Sequence, residues 1–322
     1  MKSKYLRVMR AAGWLAVIAL LWMPPPVYAF KTHLIKYLFE FTGSPEKRFE
    51  QPTDLAVNGK KQIYVLDGVN SRVVAFDYQG KYLFEFGSAG KEDGQLNMPL
   101  GLDLDKKGNV YIADTRNHRL QIFGSQGKFI EKYDLPKFKT SLKEPDPTDV
   151  LVVTPRDGDE TLYIADNDNH RVLVLERENL KLVRTIGKHG FEEQGSFRYP
   201  FKLASDSDYS LYVVDVLNTR VQKFSSTGKY LRKIGRWGIK EGTFYRPKGV
   251  AVDNEDNVYV SDSYMGVIQA FKPTGEYDGV LAEREDLEKK FKTPVHIYLD
   301  QQKRLYVIEE LDDRVSVYNI LN

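Results

Sequence analysis

The chain has 322 residues, no cysteine, 12% aromatic residues and 47 basic against 45 acidic side chains. This composition suits a protein with a packed core rather than a disordered tail. The missing cysteines exclude both a disulfide scaffold and a lipid-bearing cysteine anchor.

Residues 1–29 read as a secretory leader. Lys2, Lys4, Arg7 and Arg10 open it, an apolar run extends from Ala11 to Met23, and small residues close it at Ala29. A bilayer-spanning helix needs about 20 apolar residues, so this shorter run favours cleavage over a retained anchor. The expectation is an exported protein, periplasmic or extracellular, with no stable membrane span once the leader is gone. The leader carries four basic residues and no acidic one, so 43 of the 47 basic residues remain against 45 acidic, a net charge of −2 for residues 30–322. Such a domain offers no global field for nucleic acid, and no nucleic-acid partner is expected.

The stretch KYLFEF follows at Lys36 to Phe41 and recurs letter for letter at Lys81 to Phe86. It belongs to a longer period. Prolines open similar segments at Pro52, Pro99, Pro147, Pro200, Pro247 and Pro294, and each segment holds four short apolar or alternating runs separated by turn chemistry. Four antiparallel strands recurring about every 40–50 residues are the mark of a β-propeller blade. The expected fold is therefore all-β, a six-bladed propeller with four-stranded antiparallel blades starting near 52, 99, 147, 200, 247 and 294, in one domain over residues 30–322. The first KYLFEF is a fourth strand without a blade, and the last unit ends soon after its third strand. Strand 33–42 should thus complete blade six, Lys36 to Phe41 pairing with Val315 to Ile320, and remove exposed sheet edges.

These units resemble the NHL-repeat family. The pattern of Pro-x-Gly, a strand ending in Asp, a Tyr-containing strand and Asp-x-x-Asn-x-Arg is met in most of them over nearly all of residues 33–322. All six keep the strand tyrosine (Tyr64, Tyr111, Tyr163, Tyr212, Tyr259, Tyr306), while unit five departs with DSYMGV and unit six with EELDDR, so their hairpins are expected to lack the shared contacts. The recurring pairs Asp67 and Arg72, Asp114 and Arg119, Asp166 and Arg171, and Asp215 and Arg220 read as hairpin supports rather than catalytic groups. The resemblance implies an interaction platform whose ligands sit by the central channel, where outer strands lead into inner ones.

Functional candidates lie where the repeats disagree. The second residue after each opening proline is Asp54, Gly101, Asp149, Lys202, Gly249 or His296 in turn. Six-fold geometry would oppose Asp54 to Lys202 and Asp149 to His296 across a polar channel mouth, able to take a small polar ligand, a cation or ordered water. The loops entering units four and five form a second candidate, carrying Lys188, Arg198, Arg236, Trp237 and Arg246; aromatic residues beside arginine are typical of recognition hot spots. Phe197 and Phe244 in the same loops should instead fill the wedge between blades.

Among the five histidines only His296 is placed at the channel by the repeat, and His118 and His170 share one hairpin slot. Some propellers similar to this one are amidating lyases with a histidine-ligated channel metal, but that ring of histidines is not matched here. The leading expectation is a non-enzymatic scaffold that recognises a protein, peptide or glycan and needs no cofactor. The alternative is a metal-dependent lyase or hydrolase with a divalent cation at the channel mouth, using Asp54, Asp149, Lys202 and His296.

Overall fold

The computed structural model describes residues 31–137, 143–156, 159–284, 286–287 and 290–321; the expected leader lies outside them. Thr32–Asn322 forms one compact unit. Its strands are short because turn residues interrupt the apolar pattern every few positions. At four inner turns an Asp accepts backbone N–H groups two and four residues on, as Asp105 does from Lys107 and Asn109, and Asn58 does the same in the first unit; this fixes the reversal.

Four four-stranded antiparallel sheets come first in the chain. They comprise β2 (Pro52–Val57) to β5 (Tyr82–Phe86), β6 (Gly101–Leu104) to β9 (Phe129–Asp134), β10 (Pro147–Val153) to β13 (Leu182–Ile186) and β14 (Pro200–Ser205) to β17 (Tyr230–Ile234). The rest is one eight-stranded sheet. It runs β18 (Pro247–Val252), β19 (Val258–Asp262), β20 (Val267–Phe271), β21 (Tyr277–Glu283), β1 (Thr32–Phe41), β24 (Arg314–Ile320), β23 (Arg304–Glu309) and β22 (Pro294–Leu299).

The expectation of six separate four-stranded blades is therefore corrected: the described residues form a propeller of four such blades and one eight-stranded sheet. The cause is the length of β1. It pairs antiparallel with β24 from Ile35↔Ile320 to Phe41↔Val315, as the duplicated KYLFEF implied. Its ten residues overhang β24, and Thr32 to Ile35 take up the edge of β21 in parallel, Thr32↔Val280 to Ile35↔Glu283. Sheet edges left open here would invite pairing with other chains.

The inner strands β2, β6, β10, β14, β18 and β22 follow one another around an axis, and β22 meets β2. Neighbouring sheets bury apolar faces on one another. Tyr64, Leu66 and Val73 pack with Leu102, Val110, Ile112 and Phe123, for example. The six repeat tyrosines are buried as expected. Several also hydrogen-bond through their hydroxyls to a turn, as Tyr212 does to Asp206 (3.2 Å) and Tyr259 to Asp253 (3.1 Å). Replacing such a fully buried aromatic by alanine typically costs about 3–5 kcal/mol.

The repeated Asp–Arg pairs are the expected supports. Asp114 accepts the Asn97 N–H (2.7 Å) and the Arg119 Nε–H (2.8 Å), and Arg119 reaches on to the carbonyls of Glu92 and Gln95. The expectation that unit six lacks these contacts is overturned: Glu309, one methylene longer, accepts the Lys292 N–H (2.7 Å) and pairs with Arg314 (3.1 Å). In unit five Asp262 still accepts the Tyr245 N–H (2.6 Å), but Val267 stands where the arginine would be. His118 and His170 occupy the same left-handed turn-end position as Thr219 and Asp313, which makes their shared slot a matter of repeat geometry. No helix among the described residues is long and apolar enough to cross a membrane.

Candidate functional site

Inner strands in this arrangement do not share a backbone ladder with each other, so side chains must join them. Asp54 does so by accepting the N–H of its own neighbour Leu55 and that of Leu102 on β6, both at 2.8 Å. Asp149 on β10 likewise accepts the Leu203 N–H of β14 (2.7 Å), and Asp103 on β6 accepts the Val152 N–H of β10 (2.7 Å). At Gly101 and Gly249 the strands come closer still. A Cβ on Gly101 would lie 2.5 Å from the Asp149 Cα, and one on Gly249 would lie 3.0 Å from the His296 Cα, which is why these two positions carry no side chain.

On this frame the four candidate residues of the inner strands converge. Lys202 is fully buried, and its Nζ donates to Asp54 Oδ2 (2.5 Å), to the Leu100 carbonyl (2.8 Å) and to Asp149 Oδ1 (3.2 Å). His296 Nε2 lies 2.9 Å from Asp54 Oδ1 at ion-pair range but outside hydrogen-bond alignment, and its Nδ1 has no hydrogen-bond partner. The Asp54–Lys202 opposition read from the sequence is thus a direct contact. That of Asp149 to His296 is not: Asp149 joins Lys202, and His296 joins Asp54.

Burial is the largest influence on each charge here. It pushes the Asp54 carboxyl up, but the neighbouring His296 and Lys202, with the Lys202 hydrogen bond, together hold it well below the usual carboxylate range. Asp149 goes the other way, raised well above that range by burial and the neighbouring Asp54 despite Lys202. Burial lowers Lys202, yet the two carboxyls more than restore it and keep it charged.

The layer is therefore a buried group rather than an open mouth: Asp54, Asp149 and Lys202 satisfy one another, while the His296 ring nitrogens are left without hydrogen-bond partners. The alternative of a divalent cation does not fit these residues, because the Lys202 ammonium already stands among three oxygens, between the two carboxyls that would be its ligands. Among the described residues no group of three or more His, Asp or Glu is arranged to hold a metal ion.

Below this layer, towards the end where the inner strands finish, the axis widens into a cavity of about 410 Å³ with Asp54, Asp149 and His296 in its wall and Asp103 and Tyr298 further along. Asp103 was not singled out in the sequence. Its signal was the fourth residue after each opening proline, where Ala56, Leu151, Ala204, Ala251 and Tyr298 stand and only Asp103 is a carboxylic acid. Burial, with the charges of Asp54 and Asp105, pushes it up to about 7.

The other end of the ring carries the loops into β14 and β18. Each is pinned by a short bridge, His189 to Phe197 and Trp237 to Phe244, matching Ala89 to Leu96 two sheets earlier. Phe197 and Phe244 are fully buried against Phe224 and Phe271, the wedge positions expected of them. Trp237, in the slot held by Ala89 and His189, is instead 71% exposed. It borders a groove of about 470 Å³ together with Phe191, Arg198, Leu217, Lys233 and Arg236. The Arg198 guanidinium lies 4.4 Å from the Phe191 ring centre. The groove thus unites Arg198, Arg236 and Trp237. Lys188 and Arg246 are exposed outside it, their backbones holding Phe197 and Asp262. Leu217 and Lys233 were missed because they lie on the hairpin and the outer strand of their unit rather than in the loop that carries Trp237.

The family model for the NHL repeat matches residues 96–123 and 244–271. This chain carries NHL repeats. The two matched NHL segments cover β6 to β8 and the stretch from Phe244 to Phe271, three antiparallel strands in each case. Protein brain tumor from Drosophila melanogaster is 37% identical over 73 residues, 22% of this chain and 7% of that protein. Virginiamycin B lyase from Staphylococcus aureus superposes with a TM-score of 0.60 at 12% identity, over 86% of this chain and 82% of that one. A gluconolactonase from Xanthomonas campestris gives 0.62 at 16% identity, over 85% and 87%. At these identities the structural likeness speaks for the propeller fold and not for its chemistry.

Proposed function

We propose that this NHL-repeat propeller is a non-enzymatic binding module, exported from the cytoplasm, that takes an acidic segment of a protein partner in the groove between Phe191 and Trp237. The observation that carries the reading is the exposure of Trp237 beside a concave, basic surface. A large apolar side chain facing water is costly unless something covers it, and Trp with Arg is the pairing that dominates interface energetics. Arg198, Lys233 and Arg236 against the single acid Glu192 favour a negatively charged partner. Ile239 (70% exposed) and Tyr264 (63% exposed) on loops at the same end extend the apolar surface.

An enzyme working through Asp54, Asp149, Lys202 and His296 is less well supported, because those residues are at most 7% exposed and Lys202 is already held by both aspartates. Export rests on the basic, apolar and small-residue order of residues 1–29. Cell fractionation with N-terminal sequencing tests it, and an uncleaved protein in the cytoplasm would refute it.

For the groove, a displayed peptide library is selected on the folded protein and the enriched peptides are titrated against Trp237→Ala and Arg236→Ala. The expected peptides are acidic with an apolar anchor and lose about 30-fold in affinity on Trp237→Ala, the scale of a hot-spot residue. Enriched peptides that bind both variants as tightly as the native protein would remove the groove from consideration.

A further inference from the structure

We propose that the axial cavity is a separate binding site for a small protonated amine with an apolar body, its ammonium set against Asp103. This goes beyond the groove at Trp237, since the buried Lys202 layer lies between the two.

The volume, about 410 Å³, is in the range of small-ligand sites, which are mostly apolar with a few placed polar groups. Leu55, Leu102, Val150, Leu203, Val250 and Ile297 supply apolar wall, and Asp103, Ser205, Tyr298 and Gln301 the polar points. At the closed end the buried His296 leaves Nδ1 without a hydrogen-bond partner. A buried polar atom left unpaired costs free energy, so this one calls for water or a ligand group.

Charge selects the class of ligand. The titratable groups that share the cavity with Asp103 are Asp54 from β2, Asp149 from β10, and His296 and Tyr298 from β22, with Asp105 on its own strand's turn; β14 presents Leu203, Ala204 and Ser205, and β18 Val250, Ala251 and Val252. Lys202 is already held by Asp54 and Asp149, so Asp103 faces the cavity without a cation of its own. An ammonium would supply that missing charge while the apolar body removes the surrounding wall from water. An anion would meet the reverse.

The full exported chain is titrated calorimetrically with 2-phenylethylamine, its neutral analogue 2-phenylethanol and the anionic 3-phenylpropionate. The amine is expected to bind at one site, about tenfold or more tighter than the alcohol, with no heat from the acid. Its affinity should rise from about pH 6 to about pH 8, the direction in which Asp103 ionises while the amine stays protonated. Asp103→Asn should weaken the amine about tenfold and leave the alcohol unchanged; should that variant not fold, the pH dependence of the native protein decides. No saturable amine binding, equal affinity for all three probes, or affinity flat with pH overturns the proposal. So does amine binding that disappears in Trp237→Ala, which would place the amine on the outer face instead.

Discussion

The Lys202 layer on the axis and the Trp237 groove on the rim are both built from residues that break the repeat, and they handle polarity in opposite ways. On the axis, one lysine, two aspartates and a histidine are drawn out of water into contact, and the backbone N–H groups of Leu102 and Leu203 add to the hydrogen bonding of the two aspartates. On the rim, Arg236 and Trp237 project into solvent with no comparable set of partners drawn around them. A departure from a repeat therefore marks either a local repair or a surface kept free. Burial, rather than residue type, tells the two apart.

The contrast can be broken most bluntly by removing what both regions rest on. Deleting Thr32–Phe41 strips β24 and β21 of a partner and uncovers the core around Ile35 and Phe41. The expected result is loss of cooperative unfolding in a circular dichroism melt, and an unchanged melting temperature would sink the closure. Next in size is Lys202→Met. It leaves Asp54 and Asp149 buried without their cation, and urea denaturation should show a loss of about 3–5 kcal/mol. A loss below about 1 kcal/mol would mean that the layer is solvated after all.

A subtler effect separates the aspartates. Asp103 has a folded value of about 7 against an unfolded value near 4, so the folded protein holds the extra proton between these limits and stability declines as pH rises from about 4 to 7. Asp149 is shifted in the same direction. Asp54 is lowered, so its contribution is present above about pH 4 and is lost as pH falls below it. Asp103→Asn should therefore flatten the decline by up to about 1.4 kcal/mol per pH unit, read from urea midpoints across that window. An identical slope in the variant would show that Asp103 titrates normally. Smallest is Trp237→Ala, which should shift stability by under about 0.5 kcal/mol because the indole is exposed. A larger change would make Trp237 part of the packing and weaken its claim as a contact residue.

The strands and turns were legible because their chemistry is local: alternation, Asp and Gly at reversals, tyrosine at a fixed place in each unit. The Asp54–Lys202 contact was legible too, since it follows from counting around a ring. The Asp149–His296 opposition did not become a contact because side-chain reach, not angular position, chose the partners: Asp54 meets His296 on the neighbouring inner strand and Lys202 across the axis. Nor could the sequence show that β1 is long enough to join β21, which merges what would have been two sheets. Asp103 was hidden by attention to a single column of the repeat. The rim groove was only partly visible, because Leu217 and Lys233 reach Trp237 through folding rather than through adjacency in the chain.

The placement of β1 also sets a timetable. Its partners β21 and β24 lie more than 200 residues further along, so the first strand must wait, unpaired, until the strands of all the intervening sheets have been made. Meanwhile its edge is open to wrong partners, including the same strand of another copy. A chain cut short before β24 would keep its early sheets but never close. Emergence of β24, whether from the ribosome or through a membrane pore if the leader acts as read, then becomes the event that permits a finished ring.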